Sequence, residues 1–147
     1  MRAKLNANFG YRGRPLRFVD ANVFIYFLAD DPLYGKPAAA IMQRIEAGEP
    51  VAVSTLVLAQ VCAYLQRRAP QYIPLFLASL RLPNVIHVST TYSDFLTALD
   101  LLEQLHLSHQ LWDDAVLVAQ MQRLHIREIY SNDRDFDHFP QVKRLFA

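Results

Sequence analysis

The chain has 147 residues, of which 52% are hydrophobic and 20% charged, and its formal net charge is +1. These values indicate one globular domain with a hydrophobic core and exclude a disordered chain or an overall basic nucleic-acid-binding surface. The single cysteine, Cys62, excludes an internal disulfide framework and is typical of a cytoplasmic protein. No apolar run approaches the roughly 20 residues that span a membrane, and no glycine-rich phosphate-binding motif is present.

The first 17 residues carry five basic side chains and no acidic one, at Arg2, Lys4, Arg12, Arg14 and Arg17. We interpret residues 1–14 as a mobile basic arm and residues 15–147 as a single folded domain. Such an arm could contact phosphate groups, and a solvated tail is the alternative interpretation.

Short apolar strands and helices alternate along the first half of the domain. A buried strand in "LRFV" ends directly before Asp20, and Asn22 is expected to cap a helix over "VFIYFLA". A second helix is predicted in "YGKPAAAIMQRIEAGE". The strand "VAV" follows, and either Ser54 or Thr55 is expected to cap the helix "LVLAQVCAYLQRR".

The alternation continues through the second half. "QYIPLFLASLRL" is predicted to be helical, with Pro74 in its first turn, and "VIHV" is predicted to be a third strand. A long amphipathic helix is predicted in "TYSDFLTALDLLEQLHL", with an apolar face formed by Phe95, Leu99, Leu102 and Leu105. The helix "DDAVLVAQMQRL", the strand "REIYS" and a weak final strand "VKRLF" complete an α/β sandwich around a mostly parallel sheet.

Three acidic residues occupy positions where such a sheet gathers its ligands, at the carboxyl ends of the strands. Asp20 follows the first strand, and Asp133 follows the fourth strand by two residues. Asp114 lies in the first turn of the helix that leads into the fourth strand, after Trp112 and Asp113. Convergent carboxylates suit Mg²⁺ or Mn²⁺, which prefer hard oxygen ligands. Each acid taken alone is more typical of a helix cap or a solvated side chain, and it is their joint placement that favours a metal site.

Other acid-based sites fit the sequence less well. A calcium-binding EF-hand loop that begins at Asp133 would need glycine at its sixth position and glutamate at its twelfth, which are His138 and Arg144. A phosphatase with an aspartyl nucleophile would need a second acid where Asn22 stands. Zinc is disfavoured because the histidines of "HLSH" lack a third ligand nearby and Cys62 is isolated.

Four segments of the chain resemble the PIN-domain ribonuclease family, and most closely its bacterial and archaeal VapC-type toxins. These segments are "FVDANVFIYFL", "STLVLAQV", "DDAVLVAQM" and "IYSNDRDF", which span about Phe18 to Phe136. The resemblance implies a three-layer α/β/α sandwich with a short central sheet and an acidic pocket that binds Mg²⁺ or Mn²⁺. It also implies metal-dependent RNA cleavage, a homodimer, and an antitoxin that blocks the pocket of a toxin.

The resemblance also assigns roles to individual residues. It implies a catalytic set of Asp20, Gln60, Asp114 and Asp133 and a metal-binding set of Asp20, Asp114, Asp133 and Asp135. Asn22 and Ser131 match supporting positions, and Ser131 is expected to orient Asp20. Asp113 and Asp137 have no required counterpart, and we interpret them as surface charges.

The sequence departs from the family pattern at Gln60, where the family has glutamate. A glutamine amide can coordinate a metal or hydrogen-bond a metal-bound water, but it carries no negative charge and cannot act as a base. Two hypotheses follow. The protein is either an active ribonuclease, and then the toxin of a toxin–antitoxin pair, or a catalytically weakened PIN domain that binds RNA or protein.

Two further expectations concern binding surfaces. Basic residues near the ends of the predicted elements could contact the RNA backbone, namely Arg14, Arg17, Arg67 and Arg68. Solvated arginines at a helix end are the alternative. The apolar segments "VFIYFLA" and "YIPLFLASL" carry more bulk than a domain of this size needs internally, which predicts a dimer surface there.

Overall fold

The computed structural model describes residues 14–146. The predicted basic arm therefore lies outside the described residues except for Arg14. Within them the strands are β1 (Arg17–Val19), β2 (Val51–Ser54), β3 (Val85–Val88), β4 (Glu128–Tyr130) and β5 (Lys143–Leu145). The α-helices are α1 (Ala21–Leu28), α2 (Gly35–Glu46), α3 (Thr55–Arg68), α4 (Ile73–Ser79), α5 (Tyr92–Gln104) and α6 (Trp112–Arg123). Short 3₁₀ turns lie at Pro70–Tyr72, His109–Leu111 and Arg134–His138.

The five strands form one parallel sheet in the order β3-β2-β1-β4-β5. Phe18 of β1 lies opposite Ala52 on one side and Ile129 on the other. The helices flank this sheet, which confirms the predicted α/β sandwich with a short parallel sheet. Since the chain runs from β1 to one edge of the sheet and then crosses to β4, the strand order reverses between β1 and β4.

The core lies between the sheet and its helices, and it explains why the strands are so short and apolar. Phe18, Val19 and Ile129 are completely buried, and α6 is buried continuously from Ala115 to Met121. A strand covered on both faces reads as an unbroken apolar run. Within residues 14–146, none of the helices combines the length and the apolar character needed to cross a membrane.

The helix caps differ from one of the predictions. The expected cap of α1 was Asn22, but the helix begins at Ala21 and its cap is Asp20, whose Oδ1 accepts the Ala21 N–H at 2.8 Å. The helix starts this early because β1 ends only one residue before Asp20. For α3, Ser54 is the cap, since its Oγ accepts the Leu56 N–H at 3.1 Å.

The predicted apolar face of α5 is wrong at two positions. Phe95 and Leu99 remain 36% and 37% exposed, whereas Leu102 is buried as expected. The helix is rotated because its buried acid, Asp94, turns toward α6 and accepts a hydrogen bond from Arg123 at 2.7 Å. A buried ionised carboxylate needs a charged or hydrogen-bonding partner, so Asp94 faces the partly exposed Arg123, and Phe95 and Leu99 then lie away from the core.

Candidate active site

The candidate site lies at the carboxyl ends of β1 and β4, where the strand order reverses. Asp20 follows β1 directly, and the Oγ of Ser131, directly after β4, donates a hydrogen bond to Asp20 Oδ2 at 2.7 Å. The same Oγ accepts hydrogen bonds from Asn22 Nδ2 at 3.2 Å and from the Asp133 N–H at 3.0 Å. Both oxygens of Asp20 are occupied, because Oδ1 accepts the Ala21 N–H. Ser131 therefore links the two strand ends into one rigid polar unit.

A group of three carboxylates converges beside this unit. Asp114, Asp133 and Asp135 each offer an oxygen, and these three oxygens lie within 4.8 Å of one another. Asp114 lies in the first turn of α6, and Asp133 caps the following 3₁₀ turn by accepting the Asp135 N–H at 2.9 Å. Asp20 lines the same pocket but is not part of this group of three.

Burial, together with the crowding of carboxylates, shifts two pKa values upward. Burial, followed by repulsion from Asp133, Asp20 and Asp135, raises the pKa of Asp114 to about 8. Burial also raises the pKa of Asp20 to about 6, although the hydrogen bonds from Ser131 and Ala21 oppose the shift. Both shifts mean that the protein alone does not offset the negative charge of the site.

The residues present fit a divalent cation. The pocket has a volume of about 540 Å³, and its lining within the described chain contains acids and amides but no arginine, lysine or histidine. Three convergent carboxylates are a donor set that Mg²⁺ or Mn²⁺ accepts, and a bound cation would offset the repulsion that raises the pKa of Asp114. The site therefore brings together the predicted metal ligands Asp114, Asp133 and Asp135, with Asp20 beside them.

Gln60 also lines the pocket, as predicted, but its partner was not foreseen. The Nε2 of Gln60 on α3 donates a hydrogen bond to Asp113 Oδ2 at 3.1 Å, and Asp113 lines the same pocket. Asp113 is exposed, as expected of a surface charge, and it also lines the pocket, which the sequence did not indicate. Asp137, the other acid interpreted as a surface charge, also lies at the surface, pairs with Arg144 at 3.1 Å and does not line the pocket.

Two predicted RNA-binding arginines lie near the amino end of β1, whereas the acidic pocket lies at the carboxyl ends of the strands. Arg17 is the first residue of β1, and its guanidinium pairs with Glu128 at 2.7 Å and Glu49 at 3.4 Å. Arg14 donates a hydrogen bond to the carbonyl of Gly48 at 3.0 Å, in the turn before β2. The structure does not bring either residue to the pocket, because both precede or begin a strand whose other end carries the acids.

The remaining pair, Arg67 and Arg68, ends α3 far from the pocket. Both lie at least seven residues beyond Gln60, or about 10 Å along the helix axis, and neither lines the pocket. Arg68 lies over the ring of Tyr64, 5.0 Å from its centroid. This placement matches the alternative interpretation of solvated arginines at a helix end.

Sequence reasoning missed further residues that line the pocket, including Gln110 and Trp112. The Trp112 ring lies 6.1 Å from that of the exposed Phe95, measured between centroids. The only sequence signal that Trp112 lines the pocket is its position next to Asp113 and Asp114. A single aromatic residue at the start of a helix otherwise looks like any core residue.

Comparison with known proteins decides the family. A family model described as the PIN domain matches residues 17–142. The chain belongs to the PIN-domain family. This confirms the resemblance noted in the sequence. A search of curated proteins gave no significant match.

Solved structures of other proteins share the fold. The chain is similar to the toxin VapC20 of Mycobacterium tuberculosis, described as cleaving the sarcin–ricin loop, with a TM-score of 0.70, 21% identity, and 90% of this chain and 99% of that chain covered. It is similar to VapBC2 of Rickettsia felis bound to promoter DNA, with a TM-score of 0.67, 14% identity and coverage of 90% and 99%. A toxin–antitoxin complex of Klebsiella pneumoniae gives a TM-score of 0.62, 18% identity and coverage of 86% and 95%.

Proposed function

We propose that this PIN-domain protein is a metal-dependent endoribonuclease and the toxin of a toxin–antitoxin pair. The observation that carries the proposal is the convergence of Asp114, Asp133 and Asp135, with Asp20 fixed beside them. The family supports a nuclease, and the similarity of the fold to structures described as toxins supports the biological role.

The chemistry of the pocket explains why a cation would be needed. RNA carries a phosphate backbone, and a pocket lined by acids, with no basic residue among its described lining, repels it. Asp114, Asp133 and Asp135 would hold Mg²⁺ or Mn²⁺. A bound divalent ion attracts the phosphodiester, lowers the pKa of a coordinated water and stabilises the negative charge that develops during hydrolysis.

The protein's own residues would position the reacting groups. Ser131 and the Ala21 N–H hold the buried Asp20 carboxylate in one orientation in the lining of the pocket. Asp20 lines the pocket, where its carboxylate would be placed to accept a proton from an attacking water. Asn22 supports this geometry through Ser131 and does not itself need to contact RNA.

The second candidate function is a weakened PIN domain that binds RNA or protein without efficient cleavage. Gln60 favours it, because an amide at this position supplies neither negative charge nor a base. Its Nε2 is directed at Asp113, so the amide serves the protein rather than a substrate in this structure.

Cleavage of a labelled structured RNA, with Mg²⁺ or Mn²⁺ and with EDTA, separates the two functions. We expect wild-type cleavage that EDTA abolishes. We expect Asp133→Asn to lower the rate by about 100-fold or more, since even residues that only support metal ligands contribute about 10–100-fold. Asp137→Asn is the matched control, because Asp137 is exposed and paired with Arg144 outside the pocket. RNA binding without cleavage in the wild type would favour the weakened domain.

The acidic pocket and the exposed apolar residues of α1 and α4 suggest two binding partners. We propose that an antitoxin inhibits the protein by inserting a basic side chain into the acidic pocket, and that the toxin acts on RNA in the cytoplasm. We also propose a homodimer through α1 and α4, whose rings Phe24 and Phe76 are in contact at 5.3 Å and which expose Phe27, Leu75 and Leu77. A monomeric mass in solution at micromolar concentration would overturn the dimer.

A further inference from the structure

The contact between α3 and α6 places an amide and a carboxylate together at the wall of the acidic pocket. Gln60 Nε2 donates to Asp113 Oδ2 at 3.1 Å, and both residues line the pocket. Asp113 is the neighbour of Asp114 in the first turn of α6, where the helix dipole favours negative charge.

We propose that Asp113 supplies the additional negative charge of the metal site and that Gln60 is its positioning residue. The inference rests on the proposed metal-dependent function and deepens it. In this arrangement the helix α3 contributes a hydrogen-bond donor and α6 contributes the carboxylate. The pair therefore provides one negative charge at the place where Gln60 alone provides none.

The geometry assigns Asp113 to a different task from the three convergent acids. Its oxygens are not part of the group within 4.8 Å, so it is not placed as a direct ligand. Mg²⁺ usually keeps several of its waters when a protein binds it. A carboxylate at the pocket wall accepts hydrogen bonds from such waters and adds long-range attraction for the cation. Gln60 limits the rotation of this otherwise exposed side chain.

A purely structural role would be different. The hydrogen bond could simply join α3 to α6, in which case the charge on Asp113 would be irrelevant to cation binding. The two roles are separable because the amide and the carboxylate can be exchanged. In the double variant Gln60→Glu with Asp113→Asn, the carboxylate lies on α3, the amide lies on α6, and the net charge is unchanged.

The test is Mn²⁺ affinity, measured by calorimetry on the full chain without RNA, together with the thermal unfolding temperature of each variant. We expect Asp113→Asn to weaken Mn²⁺ binding by about 10-fold or more, in the range found for residues that support metal ligands. We expect Gln60→Glu alone to bring little or no gain, since it removes the donor and sets two carboxylates against each other. The exchanged double variant should recover affinity to within about 3-fold of wild type.

Two controls make the outcome decisive. Asp137→Asn removes one acid outside the pocket and reports the effect of net charge alone, and Asp133→Asn reports loss of the metal site. If Asp113→Asn binds Mn²⁺ as Asp137→Asn does, while Asp133→Asn loses binding, the inference is wrong and the proposed metal site stands. If Gln60→Glu tightens Mn²⁺ binding by the same factor in the wild type and in the Asp113→Asn variant, the inference is also wrong. If wild type and Asp133→Asn bind Mn²⁺ equally, the proposed function fails along with it.

Discussion

Ser131 holds more of the site together than any other single side chain described in the structure. Its Oγ donates to Asp20 and accepts from Asn22 and from the Asp133 backbone, and Ser131 itself is completely buried. A hydroxyl suits this place because one oxygen atom both donates and accepts, whereas an amide divides these roles between two atoms and an ionised carboxylate only accepts. The orientation of Asp20 therefore depends on the end of a strand that follows it by more than a hundred residues in the sequence.

We expect Ser131→Ala to destabilise the protein by about 1–3 kcal/mol, because it leaves buried Asp20 without one of its two hydrogen-bond donors. Urea-induced unfolding measures this change. Because the Ser131 hydrogen bond lowers the pKa of Asp20, the same substitution should raise that pKa above about 6. Ser79→Ala is the control, since the Ser79 hydroxyl bonds only a carbonyl in the turn before it, and it should change stability little. Equal stability of the two variants would contradict the linking role of Ser131.

The sequence predicts the positions of some acidic residues of the site but not of all of them. The positions of Asp20, Asp114 and Asp133 at strand and helix ends were readable from apolar runs, because parallel strands end at a common edge. The sequence did not reveal that Asp113 lines the pocket whereas Asp137 does not. The placement of Asp113 depends on how α6 packs against α3, and adjacent acids in the first turn of a helix carry no signal of which one faces a neighbour.

At the scale of elements, α5 and α6 are joined by an ion pair between buried Asp94 and partly exposed Arg123, and not by apolar side chains alone. Asp94 accepts hydrogen bonds from Arg123 at 2.7 Å and from Gln120 at 3.1 Å, and it closes a capping box with Thr91 at the start of α5. Arg123 holds the pKa of Asp94 below its usual range, although burial opposes this. The contact orients α6, whose opposite end carries Asp113 and Asp114 into the pocket.

We expect Asp94→Asn to lower the free energy of unfolding by about 1.5–3 kcal/mol, the range for hydrogen bonds to charged groups. The control is Asp100→Asn on the exposed side of α5, which should stay within about 0.5 kcal/mol of wild type. Chemical denaturation of both variants at pH 7 gives the comparison. A loss no greater than that of Asp100→Asn would show that apolar packing alone sets the orientation of α5.

The order and type of the elements were predictable, and the orientation of α5 was not. The strands β1 to β4 contain short apolar runs that a sequence pattern detects, whereas β5 begins with Lys143 and Arg144 and gave only a weak signal. The face that α5 buries depends instead on Asp94 finding Arg123 on another helix, 29 positions later in the chain. A pattern based on apolar spacing assigns Phe95 and Leu99 to the core because it cannot detect that partner.

At the scale of the whole molecule, the acidic site lowers the stability of the metal-free protein as pH rises. The pKa of Asp114 is about 8 in the folded protein, against an ordinary value of 3.8. Between these values the folded state holds a proton that the unfolded state has released, so the free energy of unfolding falls with increasing pH. Asp20 adds to the fall up to about pH 6. Asp94 has the opposite sign, because its lowered pKa contributes stability that is lost only in acid.

We therefore expect the metal-free protein to be more stable near pH 5 than near pH 8.5, and Mg²⁺ to remove most of that difference by binding the deprotonated acids. Thermal unfolding with EDTA and with Mg²⁺ across this range measures both effects. Asp114→Asn removes the group with the highest pKa of the cluster, so it should flatten the pH dependence, raise the metal-free unfolding temperature at pH 8.5 and abolish the response to Mg²⁺. An unfolding temperature of the wild type that is independent of pH and of Mg²⁺ would mean that the acids are not crowded as the structure shows. Stabilisation by Mg²⁺ that grows with pH would instead support a single cause for the pH dependence and for the effect of Mg²⁺. That cause is the set of buried, mutually repelling carboxylates whose charge a cation offsets.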